Sequence, residues 1–321
     1  SVDSVDSVDS VDSVDSVDSV DSVDSVDYTM KEETVMEPGE EDLSSMEEIM
    51  LIENERTKSK TEFFTQPFFV PSAGDESIEK QLTLVLVLKL SDVIRADVLI
   101  LSIYKQSHHL GSITSPIHEM YIIVPDVDAM SISNHLKIQN VVNRLPFPTV
   151  IVPETALFEP TFIRSKYALQ MALKLLCAKL IHTKYYVTLD ADVVLLRPLS
   201  LELMVSNEDG RALFENEPRD VHMLWWLDSA RLLGLQNSFD SKGVGFGVTP
   251  AVMSTFGSLV VLQGLRGRFL HPPFTPGKTL LKNLLSTYGT TKDSLMWTEY
   301  TLYSLVLNHL GLFHRLHTEQ R

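Results

Sequence analysis

The sequence contains a single cysteine, Cys177, among its 321 residues, which excludes an intrachain disulfide. A metal site built from several cysteine ligands is excluded for the same reason. The sequence also lacks any run of 18 or more apolar residues, so no membrane-spanning helix is predicted within it. One cysteine suits a reducing compartment without requiring one.

Basic residues are scarce in the first 60 positions, which hold only four of the 27 Lys and Arg but 19 of the 43 Asp and Glu. The 23 basic and 24 acidic residues that remain nearly balance, so the formal net charge of −16 belongs to the N-terminal part. A basic surface of the kind that binds nucleic acid is therefore not predicted, and nucleic acid is not an expected partner.

Residues 1–27 are nine tandem copies of Ser-Val-Asp without glycine, proline or an aromatic residue. One small apolar side chain per repeat cannot offset the entropy lost when the backbone is ordered. The composition favours a disordered, low-complexity acidic tail over 1–60 and leaves a functional acidic tail as the alternative. Residues 61–80 are interpreted as a linker, and residues 81–321 as one folded domain.

Strands and helices are predicted to alternate after residue 81. Strands are expected at 82–90, 120–126, 148–153 and 210–217, with a further buried strand before residue 190, and helices at 96–106, 164–182 and 294–309. Thr249 and Pro250 are typical of a helix N-cap and first helical position, and Gly311 of a helix stop. The alternation predicts an α/β domain with a mixed, mostly parallel twisted sheet flanked by helices.

Two carboxylates, Asp190 and Asp192, follow the buried strand in "KYYVTLDADVVLLRP" (184–198). Side chains two residues apart in an extended segment point to the same side, and open α/β sheets bind ligands at the carboxyl ends of their strands. Two such charges about 4 Å apart repel by roughly 1 kcal/mol even in water, so a divalent cation shared with a diphosphate is the expected partner. Two solvated carboxylates in a turn remain the alternative.

Three blocks of the sequence resemble nucleotide-sugar-dependent glycosyltransferases of the GT-A fold. They are "YYVTLDADVVLLRP" with its Asp-x-Asp element, "YALQMALKLLCA" (167–178) and "MWTEYTLYSLVLNHLGLFHRLH" (296–317), and the last two are similar to blocks of capsule-type and uncharacterised sugar transferases. The resemblance covers about 82–317. It implies a GT-A fold, a nucleoside diphosphate sugar donor, a glycan or other hydroxyl acceptor, and Mn²⁺ or Mg²⁺.

The resemblance also implies roles for individual residues around the diphosphate. Asp192 matches the carboxylate that binds the metal, and Asp190 the one that reaches the ribose or the metal. Lys174, or else Lys166, would place positive charge near the leaving diphosphate, with Gln170 on the same helix. A solvated helix face is the alternative for the lysines.

A C-terminal histidine is implied as a third metal ligand. His317 is the first candidate, with His314 and His309 as substitutes. The sequence stops four residues after His317, so a final strand could be missing at that end. The compartment is left open between the Golgi lumen, if an N-terminal anchor is missing, and the cytoplasm.

Glu299 is the only charged residue between Ser294 and Asn308. Burying an unpaired charge is costly, so this glutamate is predicted to act as the general base on the acceptor hydroxyl if the reaction inverts configuration. The alternative is a glutamate that holds two elements together. Asp240, in "SFDSKGVGFG" (238–247), is a second candidate base, and Asp126 at a strand end is a candidate contact for the base or ribose.

Two other classes of function fit the same carboxylates. A haloacid-dehalogenase-like phosphatase would use Asp190 as the nucleophile and Asp192 as the acid/base, with Thr249 and Lys278 or Lys282 in support. No Asp-Asp or Gly-Asp-x-x-x-Asp pattern lies downstream to complete its magnesium site. A catalytically silent binding protein with the GT-A fold is the other alternative, and turnover distinguishes it from an enzyme.

Overall fold

A computed structural model describes residues 81–108, 116–158, 165–236, 239–247, 249–266, 284–285, 287–289 and 295–320. These residues belong to one compact unit, Phe64–Arg321. The predicted tail over 1–60 and linker over 61–80 lie outside the described residues, as do Lys278 and Lys282.

Five strands form the main sheet, in the spatial order β3-β2-β1-β4-β6, and two more form a small separate sheet. The pairs β1–β2, β1–β4 and β2–β3 are parallel, β4–β6 is antiparallel, and β5–β7 is parallel. The strands are β1 (Leu82–Val87), β2 (Ile117–Val124), β3 (Thr149–Pro153), β4 (Tyr185–Leu189), β5 (Ala212–Phe214), β6 (Ala251–Ser254) and β7 (His317–Glu319).

Seven α-helices are found in the described part of the chain. They are α1 (Val93–His108), α2 (Ala129–Ile138), α3 (Lys166–Leu176), α4 (Met223–Leu232), α5 (Thr255–Gly264), α6 (Glu299–His309) and α7 (Phe313–Leu316). None of them is both long and apolar enough to cross a membrane.

The helices cover both faces of the main sheet because its central strands are apolar on both sides. In β1, Leu84 and Leu86 pack into a cluster that contains Leu99 of α1 and Ile132 of α2. Val85, between them, points the other way, into a cluster built by α3, α5 and α6. The predicted class, α/β with a mixed and mostly parallel sheet flanked by helices, is confirmed.

One predicted helix start is wrong. Thr249 and Pro250 do not begin a helix; they lead into β6, and the next helix, α5, begins at Thr255 with Ser254 as its N-cap. The C-terminal helix is confirmed, with Thr298 as its N-cap, and Gly311 follows it with the positive φ (65°) of a helix stop.

Helices α5 and α6 are in close contact at Gly257, in the first turn of α5. A Cβ atom at this position would lie 2.7 Å from the hydroxyl of Tyr303 and 3.1 Å from Cδ1 of Leu307. The tyrosine cannot move aside easily, because its hydroxyl also accepts a hydrogen bond from the amide of Ser254 (2.9 Å). Glycine at 257 is therefore a condition for the packing of α6, which carries Glu299.

We expect Gly257→Ala to lower the free energy of unfolding by about 1–2 kcal/mol, because overpacking of a filled core outweighs the helix propensity that alanine adds. Urea denaturation measures the change. In a Tyr303→Phe background, which lacks the nearest clashing atom, the same substitution should cost less. An equal cost in both backgrounds would show that the hydroxyl contact is not the cause.

Candidate functional site

The predicted carboxylate pair lies at the carboxyl end of β4, between the ends of β1 and β6. Asp190 follows the last strand residue and its side chain is 32% exposed, whereas Asp192 is exposed. Both line one cavity of about 280 Å³, together with residues from β1, α1, α3, α4 and α6. The sheet therefore presents both carboxylates to one space, as the spacing of the pair predicts.

Lys174, in the last turn of α3, is only 4% exposed and faces two carboxylates. Its Nζ lies 2.9 Å from Oδ1 of Asp190 and 2.9 Å from Oε1 of Glu299. Burial by itself would lower the pKa of Lys174, but its neighbours, first of all the carboxylate of Glu299 and also Tyr300 and Asp190, outweigh it and hold this pKa above its ordinary value. The ammonium group therefore stays charged in the interior.

Glu299 is the first residue of α6 and is 2% exposed. Burial raises the pKa of its carboxyl group, and the ion pair with Lys174 offsets this only in part, since Asp190 shares the same cation. The ion pair joins α6 to α3. This arrangement favours the alternative in which Glu299 holds two elements together, although its side chain also lines the cavity.

A chain of hydroxyl groups reaches the other oxygen of Asp190. Thr249 Oγ1 lies 2.7 Å from Asp190 Oδ2 and 2.8 Å from the hydroxyl of Tyr300, which lies 2.9 Å from Thr188 Oγ1. An ionised carboxylate can only accept, so Thr249 donates its single proton to Asp190 and must accept from Tyr300. Tyr300 in turn accepts from Thr188 or from Lys174 Nζ (3.4 Å). The hydrogen bonds thus run in one direction, towards Asp190.

The two carboxylates have different surroundings. Asp190 accepts hydrogen bonds from Lys174 and from Gln170 Nε2 (3.2 Å) on Oδ1, and from Thr249 on Oδ2. For Asp192, the described residues provide neither a hydrogen bond nor an ion pair to the side chain. Asp190 is therefore held in one orientation, and Asp192 keeps its lone pairs for a ligand.

Three other predicted site residues lie elsewhere. Lys166, the first residue of α3, is exposed and does not line the cavity. Asp126, after β2, accepts hydrogen bonds from the backbone amide (3.2 Å) and the hydroxyl of Thr155, which follows the neighbouring strand β3. Asp240 is exposed in its loop and accepts from the amide of Lys242 (2.9 Å). The structure does not bring these three residues to the carboxylate pair.

His317 is fully buried in β7, away from the cavity lining. Its Nε2 lies 2.7 Å from the hydroxyl of Tyr303, and aromatic rings including Phe214, Phe246 and Phe313 surround it. Burial, with a smaller contribution from His314, lowers the pKa of His317 to about 3. The imidazole of His317 is therefore uncharged and packed among aromatic rings, outside the cavity that Asp190 and Asp192 line. We leave His317 out of the proposed metal site.

The substitutes His309 and His314 are exposed and do not line the cavity either. Across the described ranges, no group of three or more His, Cys, Asp or Glu side chains could hold a metal ion. A metal bound here would therefore depend on oxygen atoms from a substrate as well as on protein carboxylates, as is usual for Mg²⁺.

Four residues of the site have no role in sugar transfer in the sequence analysis. Thr249 was named only as a helix cap and as a support in the phosphatase alternative, and Tyr300 lies inside a quoted block without a role. Arg95, at the start of α1, and Trp225, on α4, line the cavity from segments with no recognisable motif. Only tertiary packing brings these four positions to Asp190.

Residues 79–321 match the model of one protein family, described as "Family of unknown function (DUF6492)". No curated protein sequence matches the chain.

Solved structures that are similar to this chain include three glycosyltransferases. The apo form of the bifunctional glycosyltransferase WbbM is 12% identical, with a TM-score of 0.46 over 77% of this chain and 40% of WbbM. Core-mannan synthase A from Aspergillus fumigatus, in its Mn/GDP form, is 9% identical (TM-score 0.45; 77% of this chain, 74% of that one). The galactosyltransferase LgtC with donor and acceptor sugar analogues is 12% identical (TM-score 0.41; 75% of this chain, 73% of LgtC). Such values fix neither a substrate nor a reaction for this chain.

We expect Lys174→Met to destabilise the fold by about 3–5 kcal/mol at neutral pH, because it leaves Glu299 buried without its cation. The pKa of Glu299, already raised by burial, then rises further. A carboxyl group with a raised folded-state pKa stabilises the fold below its ordinary pKa and loses that contribution as the pH rises through the folded-state value. Relative to wild type, the variant should therefore be less stable at pH 8 than at pH 4.

Thermal unfolding at both pH values measures this effect. The double variant Lys174→Met/Glu299→Gln is the matched control, since it has no buried unpaired carboxylate at 299. It should recover stability at pH 8. A loss of stability in Lys174→Met that is the same at both pH values would contradict the assigned ion pair.

Proposed function

The chain belongs to the family of unknown function DUF6492, and we propose that it transfers a glycosyl group from a nucleoside diphosphate sugar to an acceptor hydroxyl with Mn²⁺ or Mg²⁺. The observation that carries the proposal is the unequal carboxylate pair in the cavity at the end of β4. One member is fixed by three protein donors, and the other is exposed and without a partner among the described residues.

The donor atoms at this site fit a hard divalent cation. Asp192 offers carboxylate oxygens that no described side chain uses, beside a second carboxylate in the same cavity. Mg²⁺ and Mn²⁺ prefer oxygen ligands and are commonly held by one or two carboxylates plus substrate phosphates. When bound, the ion would stabilise the negative charge that develops on the departing diphosphate.

The chain's own residues have distinct proposed roles. Asp192 binds the metal, and Asp190 is a fixed acceptor for a ribose hydroxyl or a ligand of the ion. Lys174 orients Asp190 and does not bind the diphosphate, because its ammonium group is already paired with the carboxylates of Asp190 and Glu299. Arg95 also lines the cavity, and its side chain is 68% exposed, with Asp92 at 3.7 Å. It is therefore more accessible to the diphosphate than the buried Lys174.

Glu299 has two proposed roles, and its contacts support one of them. A general base must reach the acceptor hydroxyl with a free oxygen atom. The ion pair with Lys174 instead supports a positioning role, in which Glu299 holds Lys174 against Asp190. The roles of Asp240 as a base, and of Lys166 and Asp126 in donor binding, stay predictions, and none of the three lines the cavity.

The phosphatase alternative is not favoured by these contacts. A nucleophilic Asp190 would have to give up one of its hydrogen bonds, since both oxygens accept from protein donors. The silent binding protein has the same geometry and differs from the enzyme only in turnover.

We expect Asp192→Ala to abolish metal-dependent binding of nucleoside diphosphates, because it removes the exposed cavity carboxylate that has neither a hydrogen bond nor an ion pair from the described residues. Calorimetric titration of UDP and GDP, each with and without Mn²⁺, measures this binding. Asp220→Ala, which removes an exposed carboxylate outside the cavity lining, is the control and should bind as wild type does. Binding to wild type that needs no metal, or that survives in Asp192→Ala, would overturn the metal bridge.

Thr249 provides a second test, because its hydroxyl orients Asp190 without any expected contact with the donor. Thr249→Val keeps the shape and removes the hydroxyl, and we expect it to weaken Mn²⁺–nucleoside diphosphate binding by about tenfold, as the loss of groups that orient metal ligands commonly does. Thr249→Ser keeps the hydroxyl and should stay within about threefold of wild type. Equal affinity in the valine and serine variants would remove Thr249 from the site.

A further inference from the structure

The cavity extends to both sides of β4, and its two sides are built by different parts of the chain. Strand β1 lies on one side of β4 and β6 on the other. Asp92 and Arg95, which follow β1, line the first side. Trp225 and Glu299 line the second, where α4 packs against α6 and α6 against α5. The carboxylate pair lies between the two sides.

Trp225 is the large aromatic side chain on the second side. Its ring is half-buried and stacks on the imidazole of His222, with centroids 3.9 Å apart and planes inclined by 20°. One face of the indole is thus covered by protein while the residue still lines the cavity. Trp225 thus brings an aromatic ring to the same cavity that Asp192 lines.

The position of Trp225 is fixed relative to Glu299 by two hydrogen bonds between α4 and the start of α6. Ser229 Oγ lies 2.6 Å from Thr301 Oγ1, and both side chains are buried. The amide of Met296 donates to Asp228 Oδ2 (2.9 Å). These bonds hold the helix that carries Trp225, and the stacking on His222 supports its ring, so the indole forms a wall of the cavity.

The topology indicates which part of a substrate this wall would meet. Nucleotides bind α/β sheets at the carboxyl ends of strands, in the crevice beside the first βα unit. That unit is β1–α1, so the nucleotide belongs on the side of Asp92 and Arg95. With the diphosphate at Asp192, the space in front of Trp225 remains for the acceptor.

We propose that Trp225 is the acceptor platform of this site, and that the acceptor is a carbohydrate whose pyranose ring stacks on the indole. An aromatic face carries partial negative charge and attracts the polarised C–H groups that line one face of a sugar ring. Trp225 thereby determines which class of hydroxyl compound the site accepts. The inference rests on the proposed function, which does not itself identify the acceptor.

Saturation-transfer NMR with three methyl glycosides tests this assignment: those of β-D-glucose, β-D-galactose and α-D-mannose, each with Mg²⁺ and either UDP or GDP. We expect at least one glycoside to receive saturation from wild type, mainly on the protons of one ring face. In Trp225→Ala the signal should fall by about fivefold, whereas Trp225→Phe, which keeps a ring, should retain about half of it. Leu224→Ala, which alters the neighbouring 62%-exposed residue on α4, is the matched control and should equal wild type.

Calorimetry of the same variants with UDP or GDP and Mn²⁺ separates this inference from the proposed function. The nucleotide affinity should be the same in all four proteins. A selective loss of nucleotide affinity in Trp225→Ala would assign the indole to the donor base and overturn the inference. So would an unchanged glycoside signal in Trp225→Ala, or no glycoside signal from a wild type that binds nucleotide. If the glycosides bind in a way that depends on Trp225 but no nucleotide binds, the role of Trp225 is supported and the proposed glycosyl transfer is overturned.

Discussion

The site depends on one buried cation, the ammonium group of Lys174, which lies 2.9 Å from both Asp190 and Glu299. Removing a charge from water costs several kcal/mol, and only close opposite charges with good geometry compensate for it. Two carboxylates meet this condition here, one from the end of β4 and one from the start of α6. The cation therefore joins three elements of the fold and fixes the orientation of the carboxylate at the cavity.

The consequence of this constraint is that the two aspartates of the Asp-x-Asp element are not equivalent. The protein uses both oxygens of Asp190 for its own hydrogen bonds, and the hydroxyl chain through Thr249 and Tyr300 adds to the same orientation. Asp192 is left to face the cavity. A carboxylate held in one orientation beside one that has no partner among the described residues is the arrangement on which the proposed binding of a ribose and a metal-bound diphosphate rests.

The sequence was sufficient to predict four strands of the main sheet, β1 to β4, and the carboxylate pair, because apolar strands and an Asp-x-Asp at a strand end are local patterns. The fifth strand, β6, was not predicted, because Thr249-Pro250 before it resembles the start of a helix. The burial of Glu299 follows from the apolar helix predicted to carry it, whereas Gln170, expected near the diphosphate, is found to donate to Asp190. Thr249, Arg95 and Trp225 could not be predicted, because each reaches the cavity only through long-range packing. His317 was a candidate metal ligand only because of its position near the C-terminus of the sequence. In the structure its ring is enclosed by aromatic side chains.

The central claim is that a nucleoside diphosphate sugar loses its sugar at this cavity. Phosphorus NMR of the purified chain with UDP-glucose, UDP-galactose and GDP-mannose in Mg²⁺ follows this bond directly, with a mixture of methyl glycosides as acceptors. The account predicts release of the nucleoside diphosphate from one donor, with the formation of one new glycosidic linkage for each diphosphate released. Inorganic phosphate as the product, or release that persists unchanged in Asp192→Ala, would contradict it.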